Sequence, residues 1–281
     1  MITHERRESN GKMLPGDVPL YYEVRGSGVP LVLIAGLGSD GSSWSGVITR
    51  LPKQYQIITI DNRGAGRSGI PEKPCTVPVM AEDVLRLLDQ LNISQAHVLG
   101  HSLGGYIAQE FAIRYPERVD RLVLASTAAV SSRRNNELFL KFYKDLQDGT
   151  DPEAWLREWT RWLFSPSSLA RESFVTALIK RGMRDRCRQQ LPGFKKQIDA
   201  VASFDSRDRL GGVRARTLVL AGGEDVLIPP EEAQALAHMI SGSIYQCIPD
   251  VAHSLHIEDR EVFVKAVREF LKPDVVPQVP G

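Results

Sequence analysis

Cysteine is scarce in this chain. Cys75, Cys187 and Cys247 are three in 281 residues and widely spaced, which suits neither a disulfide framework nor a zinc site. They are expected to be reduced and mostly to pack, since none stands in a turn that would activate a thiolate. Long apolar runs are missing too. The longest, such as Leu31 to Ala35 and Thr217 to Ala221, are strand-sized, and with 42% hydrophobic and 25% charged residues no membrane span is expected. The opening residues, MITHERRESNGKM, place charges where a secretion signal needs an apolar stretch, so the expected location is cytoplasmic. A formal net charge of +1 argues against a nucleic-acid partner.

That small net charge conceals an asymmetry. Between Ser131 and Arg216 there are 18 Lys and Arg against 11 Asp and Glu, about +7, which leaves about −6 on the remainder. The organisation changes over the same stretch. Outside it, short β-branched or aliphatic runs alternate with helical patterns, the signature of a parallel sheet wrapped by helices. Residues 12–25 read as an edge hairpin turning at Pro15-Gly16-Asp17. Strands are expected at Leu31 to Ala35, Gln56 to Asp61, Ala96 to Gly100, Arg121 to Ala125, Thr217 to Ala221 and Ile244 to Ile248. Helices are expected at Met80 to Leu91, Leu103 to Tyr115, Glu231 to Ile240 and Glu261 to Leu271. Between Thr127 and Gly212 no strand pattern appears, and three or four helices punctuated by Gly149, Pro152, Pro166 and Gly182 are expected. The expected fold is therefore α/β, a mostly parallel doubly wound sheet with an inserted all-helical cap. The core takes residues 1–126 and 213–281, and the cap takes 127–212. The last residues, KPDVVPQVPG, read as a frayed tail.

The strongest chemical signal is Gly100-His101-Ser102-Leu103-Gly104-Gly105, directly after the strand AHVL and directly before the helix YIAQEFAIRY. A nucleophile on a sharp strand-to-helix turn needs small residues two places before and after it, because the strained backbone brings them together. Serine also needs a base to take its proton and a carboxylate to orient that base, and on such a sheet they follow in the order serine, acid, histidine. Asp225 lies just past the strand TLVLA in GGEDVLIP, and His253 follows the last strand in IPDVAH. Both stand at the C-terminal ends of strands, where sites in open α/β sheets form.

With these residues in place the chain resembles the α/β-hydrolase superfamily over residues 20–272. Four features carry the resemblance: the DNRGAGRS turn at 61–68, the GHSLGG elbow, the G-x-x-D-x-x-x-P acid loop, and the His253 loop ending in Glu258. Members commonly have Gly before the histidine, where this chain has Ala252, and often begin the loop after the first parallel strand with His-Gly, where this chain has Ala35-Gly36. The resemblance implies that the DNRGAGRS turn, with Asp61 and Arg63, is chiefly structural.

Several residues compete for the roles. Glu224 is the rival acid and His256 the rival base, with a surface or supporting place as its alternative. His101 should point away from the substrate and pack, while His4, His97 and His238 are expected to be solvated or packing. Negative charge developing on the carbonyl oxygen calls for pre-aimed N–H donors. The backbone N–H groups of Leu37 and of Leu103, at the start of the elbow helix, are the candidates.

In the cap, Trp155, Trp159 and Trp162 fall at i, i+4 and i+7, one stripe of a helix. They serve either as the cap's packing against the core or as walls of an apolar acyl pocket. Phe139, Phe142 and Leu146 suggest a second such helix. The cluster Lys180, Arg181, Arg184, Arg186 and Arg188 is either a solvated face or a recognition surface for an anionic substrate or an acidic acyl carrier protein.

The leading expectation is a serine hydrolase of a small carboxylic ester needing no cofactor and no metal: acyl-enzyme on Ser102, general base His253, orienting acid Asp225. The resemblance also brings in enol-lactone hydrolases, aminoacrylate-type amidohydrolases and carbon–carbon bond hydrolases. An aspartate at the elbow would have indicated dehalogenase or epoxide hydrolase chemistry. From another class, the same fold serves as a small-molecule receptor.

Overall fold

A computed structural model describes residues 11–185, 187 and 189–273. Arg186 and Arg188 of the basic cluster, His4 and the proposed frayed tail from residue 274 lie outside the described residues.

Eight strands form one sheet in the order β1-β2-β4-β3-β5-β6-β7-β8. They are β1 (Gly11–Leu14), β2 (Leu20–Arg25), β3 (Val29–Ile34), β4 (Tyr55–Ile60), β5 (Ala96–His101), β6 (Val119–Ala125), β7 (Arg216–Gly222) and β8 (Ile244–Ile248). The β1–β2 hairpin is antiparallel and β2 runs antiparallel to β4, while β4-β3-β5-β6-β7-β8 are all parallel. Several strands begin earlier than their apolar runs do. Pairing Val29 with Tyr55 and Pro30 with Gln56 draws those residues into the ladder, which backbone hydrogen bonds define and hydropathy does not.

The parallel strands are apolar on both faces because both faces are covered. Leu31 and Leu33 of β3 face a layer containing Phe263 and Val267, while Val32 and Ile34 face one containing Leu87 and Ile107. The first layer is built on α1 (Ser45–Ile48), α10 (Leu255–Glu258) and α11 (Arg260–Phe270). The second is built on α2 (Val77–Gln90), α3 (Leu103–Arg114) and α9 (Pro230–Met239).

Between β6 and β7 the described residues form no strand but five α-helices, α4 (Arg133–Gln147), α5 (Pro152–Leu163), α6 (Pro166–Leu169), α7 (Glu172–Arg184) and α8 (Leu191–Ala202), and a 3-10 turn at Arg207–Gly212. They make up the cap. Asp151 caps α5 through Ala154 N at 2.9 Å, with Pro152 at its first position. Pro166 likewise opens the single turn α6, which adds a fifth helix to the three or four expected. Gly182 was expected to separate helices but lies inside α7. A Cβ there would stand 2.9 Å from Leu156 Cδ1, so glycine lets α7 close on α5. Among the described residues no helix is long and apolar enough to cross a membrane.

Candidate active site

β5 delivers Ser102 to a backbone conformation with φ 55° and ψ −119°, and α3 begins at the next residue. That left-handed φ is costly for a serine and persists only where its surroundings enforce it. Here backbone crowding does so. A Cβ on Gly100 would lie 2.5 Å from the carbonyl carbon of Gly104, and one on Gly104 would lie 2.7 Å from that of Ile34. The two glycines expected beside the nucleophile are required by contacts with main chain.

Asp225 and His253 are 28 residues apart and are joined by the register of β7 on β8, which ends with Gly222 opposite Ile248. Gly223 N and Glu224 N donate to the carbonyls of Ile248 and Val251 at 2.8 and 2.9 Å, tying the two loops together. His253 Nδ1 lies 2.8 Å from Asp225 Oδ2. The other carboxylate oxygen of Asp225 accepts from Leu227 N and Ile228 N, each at 2.9 Å, which locks the acid in place. Glu224 is exposed, whereas Asp225 and His253 are buried.

Ser102 and His253 line one cavity of about 160 Å³, together with Gly36, Leu37, Phe139 and Trp159. Leu37 therefore shares the chamber with Ser102. Leu103 occupies the first position of α3, whose N–H has no partner within its own helix. The loop carrying Leu37 passes close over the elbow: a Cβ on Gly36 would lie 3.1 Å from Ser102 Cβ. It lacks the family's bracing histidine, but Asn62 Nδ2 donates to Ala35 O at 2.9 Å. Asp61 next to it accepts from Gly41 N at 2.9 Å, while Arg63 forks onto Asp83 with both bonds at 2.6 Å.

Of the other histidines, His101 is buried with Nε2 2.9 Å from the carbonyl of His253. Burial first, then the neighbouring His256 and His253, hold its pKa well below the ordinary imidazole value. A neutral ring facing a carbonyl must present its N–H there, so His101 braces the His253 loop. His256 is not at the surface: it is buried against Trp44, with ring centroids 4.7 Å apart. Burial, with His253 and Arg260 adding, pushes its pKa down to about 3. His97 packs on Tyr55 and His238 is exposed.

The cap is fastened to both loops. Asn135 Nδ2 of α4 donates to Leu227 O at 2.6 Å, beside the acid. The link to the histidine loop is larger. Glu258 Oε1 accepts from Ser165 N at 3.0 Å and Ala252 N at 3.1 Å, and Oε2 accepts from Ser165 Oγ at 2.6 Å and Ser168 Oγ at 3.0 Å. Ser254 N donates to Leu163 O at 2.9 Å. One carboxylate thus joins the α5–α6 junction to the segment bearing His253. The sequence marks Glu258 as part of the histidine motif, but its cap partners carry no local signal.

The three cap tryptophans divide. Trp159 lines the chamber with Ser102 and also a second cavity of about 220 Å³, which Trp155 lines too. The two indoles stack with centroids 5.3 Å apart, and Trp155 Nε1 donates to Phe142 O at 2.9 Å. Trp162 lines neither cavity and packs half-buried on the edge of the apolar core. The chamber does not follow the stripe: from α5 it takes Trp159, Thr160 and Leu163, and not Trp162. Cys187 lies in the wall of the second cavity, Cys75 is buried and Cys247 is exposed; all three are free thiols.

Comparison with known proteins agrees with this architecture. Residues 29–260 match the model of the α/β-hydrolase fold family. A protein of Azorhizobium caulinodans named "Putative carbamate hydrolase RutD" is 32% identical over 251 residues, covering 88% of this chain and 93% of its own. The solved structure of an enol-lactonase from Burkholderia xenovorans superposes with TM-score 0.82 at 28% identity, covering 90% of this chain and 96% of its own. That of a thermophilic esterase from Thermogutta terrifontis has TM-score 0.81 at 28% identity, covering 95% and 98%. The protein is a hydrolase, and its chain belongs to the α/β-hydrolase fold family.

Proposed function

We propose that this protein is a cofactor-independent serine hydrolase that cleaves a small carboxylic ester. The observation that carries the reading is the Asp225–His253 pair, 2.8 Å apart, whose histidine lines the same chamber as Ser102 on its strained elbow. Asp225 holds the Nδ1–H of His253, leaving Nε2 free to act as base. Ser102 Oγ attacks the carbonyl carbon as its proton passes to Nε2, and the N–H groups of Leu37 and Leu103 receive the developing oxyanion. Collapse breaks the bond to the alcohol, which leaves with the proton held by the histidine. Water, deprotonated by the same nitrogen, then releases the acid from Ser102.

The chamber limits what can react. At about 160 Å³ it holds a short acyl group, with Trp159 and Phe139 of the cap supplying apolar walls. In this reading residues 127–212 are the unit that chooses the substrate, and residues 1–126 and 213–281 supply the chemistry. A carbamate is the second reading, favoured by the names of the relatives. Its carbonyl is open to the same attack by the same serine.

The test is turnover of p-nitrophenyl acetate, p-nitrophenyl butyrate and a p-nitrophenyl carbamate by wild type and Ser102→Ala. The variant is expected to lose about 1,000-fold or more in kcat on each. A burst of p-nitrophenol surviving in Ser102→Ala would place the nucleophile elsewhere. Labelling of wild type without turnover would favour the receptor reading.

A further inference from the structure

The cap's charge is unevenly satisfied. On α4, α5 and α8, cations pair with carboxylates one turn away: Lys141 with Asp145, Arg157 with Glu153, and Lys195 with Asp199. On α7, Lys180, Arg181 and Arg184 have no ion pair among the described residues. The reason is plain in its sequence, ESFVTALIKRGMR, where Glu172 is the sole acid and stands at the far end. Lys180 and Arg184 are four apart, a spacing at which like charges destabilise a helix by about 0.2–0.5 kcal/mol. Local rules are broken in this way most often at functional sites.

All three cations line one surface groove, and Arg181 also reaches the second cavity beneath the cap. That cavity shares Ser39, Trp159, Leu178 and Ile257 with the Ser102 chamber, so the two adjoin. Its inner wall is apolar, built from Leu146, Trp155, Leu156 and Phe194, and Arg181 stands on its rim. Among the described residues, Arg181 Nη2 donates only to neutral oxygens, Ser42 O at 3.0 Å and Ser42 Oγ at 3.4 Å. The two carboxylates of the cavity wall are turned to their own backbones. Asp40 accepts from Ser42 N at 2.7 Å and Asp185 from Cys187 N at 2.8 Å.

We propose that this second cavity receives the remote end of the acyl substrate, and that Arg181 holds a carboxylate borne there. The substrate class is then an ester of a dicarboxylic half-acid, with its reacting carbonyl at Ser102, its apolar middle against Trp155 and Trp159, and its free carboxylate at the cationic rim. A carboxylate in place of the Ser42 oxygens turns a neutral contact into a charge-assisted, two-pronged one, about twice as strong per bond. Lys180 and Arg184 draw the anion toward the groove.

This inference rests on the reading of Ser102 as nucleophile, and two arms keep them apart. The first compares kcat/KM for the half p-nitrophenyl ester of adipic acid and for p-nitrophenyl hexanoate, which differ only by carboxylate for methyl. Wild type is expected to favour the adipate ester, and Arg181→Ala to cut that preference about tenfold, through KM rather than kcat. Arg181→Lys is expected to retain part of it and Arg181→Glu to invert it. The second arm needs no turnover: monomethyl adipate is titrated into Ser102→Ala, and into Ser102→Ala with Arg181→Ala, by tryptophan fluorescence. Binding is expected to weaken about tenfold when Arg181 is lost. Equal binding by the two variants, or an adipate-to-hexanoate ratio unmoved by Arg181→Ala, overturns the proposal. Turnover persisting in Ser102→Ala, with binding still dependent on Arg181, would overturn only the nucleophile.

Discussion

Around Ser102 positions are set by main chain pressed against main chain: Gly100 on Gly104, Gly104 on Ile34, and the β7–β8 register that brings Asp225 to His253. In the cap they are set by side chains, with Trp155 stacked on Trp159, helical ion pairs along the surface, and Asn135 and Glu258 reaching down to the loops of the core. The difference teaches where each region tolerates change. Backbone crowding leaves no room for even a methyl group, whereas the cap can exchange side chains and so alter what it admits, provided its polar fastenings to the two loops survive.

The comparison breaks most sharply at Gly104. Gly104→Ala puts a methyl into the Ile34 carbonyl, where only backbone movement can relieve it. A loss of at least about 3 kcal/mol of stability is expected, together with the activity, read from a urea midpoint and ester turnover. A normal midpoint would mean that the elbow is not backbone-limited.

Glu258 sharpens it. Glu258→Ala strands the buried donors Ser165 N and Ala252 N, each costing about 1–3 kcal/mol, and leaves the His253 loop tied to α5 by Ser254 N on Leu163 O. The kcat is expected to fall about 10- to 100-fold with a smaller change in KM. Glu258→Gln keeps one acceptor oxygen for both N–H groups, so it should restore most of the rate. Equal loss in both variants would show that the charge matters rather than the clasp.

The smallest effect concerns pH. Unfolded, His256 binds a proton below about pH 6.5, but folded it does not until about 3. The unfolded state therefore binds more protons across that window, and stability falls as the pH drops through it, by at most about 1.4 kcal/mol per unit from this ring. His101, likewise held neutral by burial, adds with the same sign. His256→Phe, packing between Trp44 and Phe263, is expected to flatten the decline of the urea midpoint between pH 7 and 4.5. An unchanged slope would place the acid sensitivity elsewhere.

The elements of the sheet were legible because a strand buried on both faces is an unbroken apolar run, as in Leu31 to Ile34. Gly100, Gly104 and Ser102 were legible because the elbow's constraint is local to six residues. Gly182 misled, since a glycine that admits Leu156 across a helix pair looks identical in sequence to one that ends a helix. Trp162 misled similarly: helical periodicity tells which residues share a stripe, not which neighbours of it face a cavity, and the chamber takes Thr160 and Leu163 instead. His256 was left between base and support because only the tertiary structure decides which ring meets a carboxylate: Asp225 lies 2.8 Å from His253, while the equally buried His256 packs on Trp44.

The order of serine, acid and histidine at strand ends, and hence the kind of chemistry these residues can perform, was determined by the sequence alone. The reason is that backbone strain and strand patterning are short-range. The cap partners of Glu258, the bracing of Ala35 by Asn62, and the seat of Arg181 against Ser42 on the rim of the cavity that adjoins the Ser102 chamber were decided only by the tertiary structure. Each joins residues at least 27 positions apart through side chains whose local surroundings give no sign of where they will point.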